Sequence, residues 1–150
     1  MKPGAVATMV LCLVLWRGIA GAETLITLQE AELPAAAAPA DTTASTRALT
    51  RPPVAELVRP AGGKDTRSPT PFTVKFTAYG GTTIDAAATK VFYLKNPLVE
   101  LTPRLAKYIK PSGIEMPEAE VPPGEHAILI ELVASNGHTG SSVVTFRVGR

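Results

Sequence analysis

The chain has 150 residues, of which 45% are hydrophobic and 19% charged, with a formal charge of +2. Lys2 and Arg17 supply that excess, and every acidic residue lies beyond position 22, so the remainder is formally neutral and has no global attraction for nucleic acid or acidic membranes. The length suits one ordinary domain with extensions, and the single cysteine, Cys12, excludes a disulfide framework.

Met1-Lys2 is followed by an apolar run over 5–16 and by small residues ending Ala20-Gly21-Ala22. This pattern predicts a secretory signal peptide over 1–22, cut before Glu23. The run is shorter than the ~20 apolar residues of a membrane span, so no stable span is expected after cleavage. Met9-Val10-Leu11 ahead of Cys12 lacks the small residue that a lipid-attachment signal places before its cysteine. The exported chain therefore carries no thiol, and its core alone must stabilise it.

Residues 23–33 bear Leu25, Ile26 and Leu28, and their periodicity fits a short strand or one helical turn equally well. They read as frayed N-terminal sequence, with a docking peptide as the other reading. Pro34 to Thr46 is rich in Pro, Ala and Thr and has little to bury, which predicts a semi-extended, disordered linker. The chain thus divides into a leader (1–22), an N-terminal segment with linker (23–51) and a domain (52–150).

From Pro52 the pattern is that of strands. Val54–Val58, between prolines, suits an edge strand, and Gly62 to Asp65 a turn. Phe72, Val74, Phe76 and Ala78 alternate with Thr73, Lys75 and Thr77, the pattern of a half-buried strand. Val91 and Tyr93 alternate with Lys90 and Phe92. Thr102-Pro103 before Leu105, Tyr108 and Ile109 predicts a short helix over the sandwich edge, with Thr102 as N-cap. Ile114 and Met116 predict a brief strand that stops before Pro117.

Two segments close the chain, 127–135 and 139–148. Ile128, Ile130 and Leu132 share one face of the first, and Val144, Phe146 and Val148 one face of the second. Asn136-Gly137 between them predicts a hairpin with a type I′ turn. Several short strands separated by turn signals over about 100 residues predict an all-β, antiparallel two-sheet sandwich with one short helix.

Pro123-Gly124-Glu125-His126 with Ile128 and Ile130, then Asn136-Gly137-His138-Thr139-Gly140 and Val144-Thr145-Phe146-Arg147-Val148, resembles the last two strands of bacterial immunoglobulin-like modules. It is also similar to fibronectin type III-related modules of exported bacterial proteins. Val54 to Pro60 and Ser68-Pro69 before Phe72 suit the opening of such a module, so the resemblance covers about 52–150. Antibody-like domains would add a Cys–Trp–Cys core, and the chain beyond residue 22 has neither Cys nor Trp. The resemblance implies an immunoglobulin-like sandwich without catalytic residues, acting as a spacer, a ligand or carbohydrate binder, or a docking domain.

The residues themselves offer no catalytic or metal constellation. His126 and His138 read as turn or edge histidines on opposite flanks of the hairpin, and a metal site needs three or four convergent groups. No Gly-x-Ser-x-Gly elbow, calcium loop or phosphate-cradling glycine loop is present. Glu115, Glu118 and Glu120 read as charges that keep an edge soluble. No cofactor is implied.

Surplus apolar residues are more informative. Leu129 and Val133 lie opposite Ile128, Ile130 and Leu132 on their strand, and Val143 and Phe92 do the same on neighbouring strands, where solvent faces normally read polar. Either the N-terminal segment or the short helix covers them, or they form a contact face for a partner or a second copy. The function expected is a non-catalytic, exported module, periplasmic or extracellular, that contacts another exported or envelope protein through this face or serves as a spacer. A small-ligand or carbohydrate-binding module is the alternative; an enzyme fits least. Sugar sites favour exposed Trp and Tyr, of which residues 23–150 offer only Tyr79, Tyr93 and Tyr108.

If the leader is cut as read, the exported protein begins at Glu23 and carries no lipid. Intact-mass measurement checks this, and retention of residues 1–22 or acylation of Cys12 would contradict it.

Overall fold

Alternating segments with one apolar face must pair and then bury that face against a second layer. In the computed structural model, which describes residues 21–39, 51–61 and 66–150, they do so as a two-sheet β-sandwich. Strands are β1 (Glu23–Thr24), β2 (Val54–Arg59), β3 (Thr70–Thr77), β4 (Lys90–Tyr93), β5 (Val99–Glu100), β6 (Ile109–Lys110), β7 (Gly113–Glu120), β8 (Gly124–Val133) and β9 (Thr139–Val148). The helices are α1 (Leu28–Glu32) and α2 (Thr102–Leu105), the latter continued by a 3-10 turn over Ala106–Tyr108. The expected leader up to residue 20, residues 40–50 of the expected linker and the expected turn at 62–65 lie outside the described residues.

The first sheet has the order β1-β7-β3-β2, with β6 also paired to β7, and the second has the order β5-β4-β8-β9. All pairs are antiparallel except β1 with β7. The chain therefore changes sheet between β3 and β4, after β5, and again between β7 and β8. Phe72, Val74 and Phe76 from the first sheet meet Val91, Tyr93, Ile128, Ile130, Leu132, Val144 and Phe146 from the second, as the alternation requires. No helix among the described residues is long and apolar enough to cross a membrane.

Three local expectations change. The hairpin turn is not type I′, because among the described residues no non-glycine residue has positive φ. Instead Gly137 N–H donates to the Ala134 carbonyl, and Gly137 alone is left-handed, at φ 83°. Ala134 N–H donates to the His138 carbonyl, completing a type I turn closed by a bulge at glycine. Strand β7 runs through Pro117 to Glu120. The β3–β7 register shifts between Thr70↔Ala119 and Phe72↔Met116, so the proline falls in a bulge where its missing N–H breaks no ladder. Thr102 opens α2 but does not cap it, since its hydroxyl accepts from the Val91 amide at 2.9 Å and ties the helix to β4.

The largest difference lies at residues 23–36, which are folded against the sandwich. β1 and α1 belong to one strap, so the ambiguous periodicity resolves as a strand followed by a helical turn. Leu25 and Ile26 are at most 1% exposed and belong to the core. Full burial of each contributes about 1.5–3 kcal/mol. Thr27 and Glu30 form a reciprocal capping box at α1. Arg104 grips Glu30 through two hydrogen bonds of 2.8 and 2.7 Å, and also donates to the Leu25 carbonyl. Farther along, Asn96 N–H donates to the Pro34 carbonyl, and Ala36 N–H to the Leu94 carbonyl.

The opposite side of the sandwich is closed by β2 lying against β9. A Cβ at Gly140 would stand 2.0 Å from the Pro53 carbonyl oxygen, so only glycine permits this approach. The Ala55 amide donates across the seam to Ser142 Oγ.

The Arg104 guanidinium holds the Glu30 carboxyl down at about 2, from an ordinary 4.5. Its stabilisation is therefore complete above pH 4.5 and is lost as pH falls towards 2. Glu30→Gln should lower stability at neutral pH by about 1–2 kcal/mol, less than for a fully buried pair because Arg104 stays partly in water. Denaturant melts of parent and variant should converge between pH 4.5 and 2; a constant gap would show that the pair contributes nothing.

Candidate functional site

The outward face of the second sheet is set by β8, paired with β4 on one side and β9 on the other. Its inner residues Ile128, Ile130 and Leu132 have no exposure, and the period of two turns Leu129, Glu131 and Val133 outward. Register brings Phe92, Leu129 and Val143 into one row across β4, β8 and β9. Lys90, Glu131 and Ser141 form the adjacent row, and Val133 pairs with Thr139 beyond it. The four residues singled out in the sequence thus share one face.

They are not equally accessible. Leu129 is 7% exposed, Phe92 and Val133 are half-buried, and Val143 is 40% exposed. The short helix is not their cover, because α2 sends Leu105 into the core and bonds to β4 through Thr102. Instead Leu129, Val133 and Val143 line a groove of about 650 Å³ with Pro39, where the described part of the strap ends, and with Pro52 and Pro53, which lead into β2. Lys90, Glu131, Ser141 and Ser142 give it polar edges. The groove presents an apolar floor with one cation, one carboxylate and three hydroxyls, the third from Thr139. That chemistry suits contact with a mixed apolar and polar surface. Sequence reasoning found the floor through its parity but missed the three prolines, which are distant in sequence and carry no periodic signal.

The histidines separate differently from the expectation. His138 is exposed in the hairpin turn, as read, but His126 is 2% exposed and sits in the core. Tyr93 Oη lies 2.9 Å from its Nδ1, the Pro122 carbonyl oxygen lies 2.8 Å from its Nε2, and the Phe146 ring lies beside it. Its parity gives the reason: His126 shares the inward face of β8 with Ile128, Ile130 and Leu132. Among the described residues no group of three His, Cys, Asp or Glu side chains could hold a metal ion. Glu115, Glu118 and Glu120 are exposed along β7, and Glu115 pairs with Lys110.

No protein-family model matches the chain, and no curated protein matches it in sequence.

Unequal burial along the row predicts unequal effects. Leu129→Thr should cost about 1–2 kcal/mol of stability, because it places a hydroxyl where almost no water reaches. Val143→Thr should stay within about 0.5 kcal/mol. Thermal melts of the two single variants distinguish them, and equal losses would show that Val143 is covered as fully as Leu129.

Proposed function

We propose that the chain is an exported, non-catalytic immunoglobulin-like module, related to fibronectin type III modules, that contacts another exported or envelope protein through the outer face of its second sheet. The observation that carries this reading is the apolar row Phe92–Leu129–Val143, which opens at Val143 into a groove edged by Lys90 and Glu131. Interfaces combine an apolar centre with a polar rim in this way.

The strand order supports the module class. β2, β3 and β7 occupy one sheet and β4, β8 and β9 the other, with β5 beside β4, an arrangement that suits the A-B-E and C-F-G strands of such sandwiches. Export is supported by the junction itself. A cut before Glu23 leaves intact the Glu23 contacts with Tyr108 and Lys107 and the burial of Leu25, so the whole sandwich with its strap survives processing. A carbohydrate site draws less support, because no aromatic ring lines the groove and Tyr93 is buried.

A photo-reactive side chain placed at Val143 should capture a partner in the cell envelope, whereas one at Val58, exposed on β2 in the other sheet, should not. Adding Glu131→Lys to the Val143 probe should weaken capture without lowering the melting temperature, since a rim charge acts on association. Equal capture from both positions, or capture indifferent to Glu131→Lys, would leave a spacer as the better description.

A further inference from the structure

His126 and Tyr93 are the ionisable side chains that the described residues bury in the core, and their hydrogen bonds fix which form fits. The Pro122 carbonyl can only accept, so Nε2 carries the proton and Nδ1 accepts from the Tyr93 hydroxyl. A neutral imidazole is thereby fully satisfied. A second proton, on Nδ1, would make that nitrogen a donor to the Tyr93 oxygen and leave the buried tyrosine hydrogen without its acceptor. It would also put a positive charge among the rings of Tyr93 and Phe146.

Tyr93 ends β4, and the next three residues are where the strap is fastened. Leu94 accepts from Ala36, Lys95 Nζ donates to the Ala31 carbonyl at 2.9 Å, and Asn96 donates to Pro34. Lys95 Nζ also lies 5.3 Å from the centre of the Tyr93 ring. A charged imidazole would therefore leave a buried hydroxyl hydrogen unsatisfied on the tyrosine against which the strap's anchoring residue lies, and would repel that residue's ammonium.

We propose that His126 is an acid-sensitive latch, whose protonation releases the strap around Ala31–Ala36 from Leu94–Asn96 while the two sheets stay paired. The groups acting on the pair are Lys95 on the β4 side and Glu30 of α1, itself held by Arg104. On the β8–β9 ladder, Glu125 and Arg147 pair with each other, are exposed and point to the opposite face from His126. Burial, together with Lys95, lowers the proton affinity of His126, although the Pro122 carbonyl opposes this. The latch is therefore fully closed above the ordinary histidine value of about 6.5 and opens as pH falls below it.

Hydrogen exchange by NMR on the exported chain, between about pH 7.5 and about pH 4.5, tests the latch. Protection of the Ala36 and Asn96 amides should fall severalfold, because the closed strap disfavours the charged ring that the open one accepts. The amides of the β8–β9 ladder should keep theirs. The midpoint should follow titration of the His126 ring, and His126→Gln should abolish the step. Should that variant not fold, Lys95→Met should lower strap protection at pH near 7.5 and remove its further fall in acid. Four results would overturn the latch. These are strap protection that stays constant, a loss shared equally by strap and ladder, a His126 ring that does not titrate in this range, and a step that persists in the folded variant.

Discussion

A two-layer sandwich without a disulfide must close both of its open sides by packing, and the rest of this structure follows from how that is done. On one side β2 comes against β9, which requires glycine at position 140 because the Pro53 carbonyl occupies the space a Cβ would take. On the other side α2 and the strap cover the core, which they fill with Leu25, Ile26, Leu101 and Leu105, none more than 1% exposed. The first closure fixes the position of β9 and thus of Val143. The second fixes the end of β4 and thus of Tyr93.

These closures also account for the polar interactions that recur across distant parts of the chain. Arg104 connects α2 to both the Leu25 backbone and the Glu30 carboxylate. A side chain with several donors in a fixed plane can make these bonds together, which a lysine ammonium could not do with the same geometry. Glu23 meets Lys107 and Tyr108 one turn farther along. The strap is therefore held by an apolar plug and a polar clasp centred on Glu30 and Arg104, which lie on two short helices, neither of which would be stable alone.

Strand parity made most of the sandwich legible. The inward sets Phe72/Val74/Phe76, Val91/Tyr93, Ile128/Ile130/Leu132 and Val144/Phe146/Val148 all face the core, and the same parity run outward collected Phe92, Leu129, Val133 and Val143 on one surface. His126 was legible on those grounds too, because it lies two residues before Ile128, but residue type outweighed position in reading it as an edge histidine. The strap carried a local signal in Thr27-x-x-Glu30 directly after Leu25-Ile26, a capping box that marks the start of a helix. Its docking was not legible, because the plug is completed by Leu101 and Leu105, more than seventy residues away. Pro117 and Asn136-Gly137 mislead for a shared reason: the commonest local rule for each assumes regular pairing, and each sits at a bulge.

The covalent connection between strap and sandwich has a kinetic consequence. Pro39 and Pro52 line the same groove, so whatever path residues 40–50 take, their two ends are held near one another. A strap that leaves its seat stays tethered beside it, at an effective concentration on the order of millimolar for a connection of this length. Another molecule offering an equivalent segment would have to overcome that local excess, so exchange between molecules is suppressed. Reseating is unimolecular and independent of protein concentration, which lets this edge of the sandwich open and close many times without the molecule losing its own part.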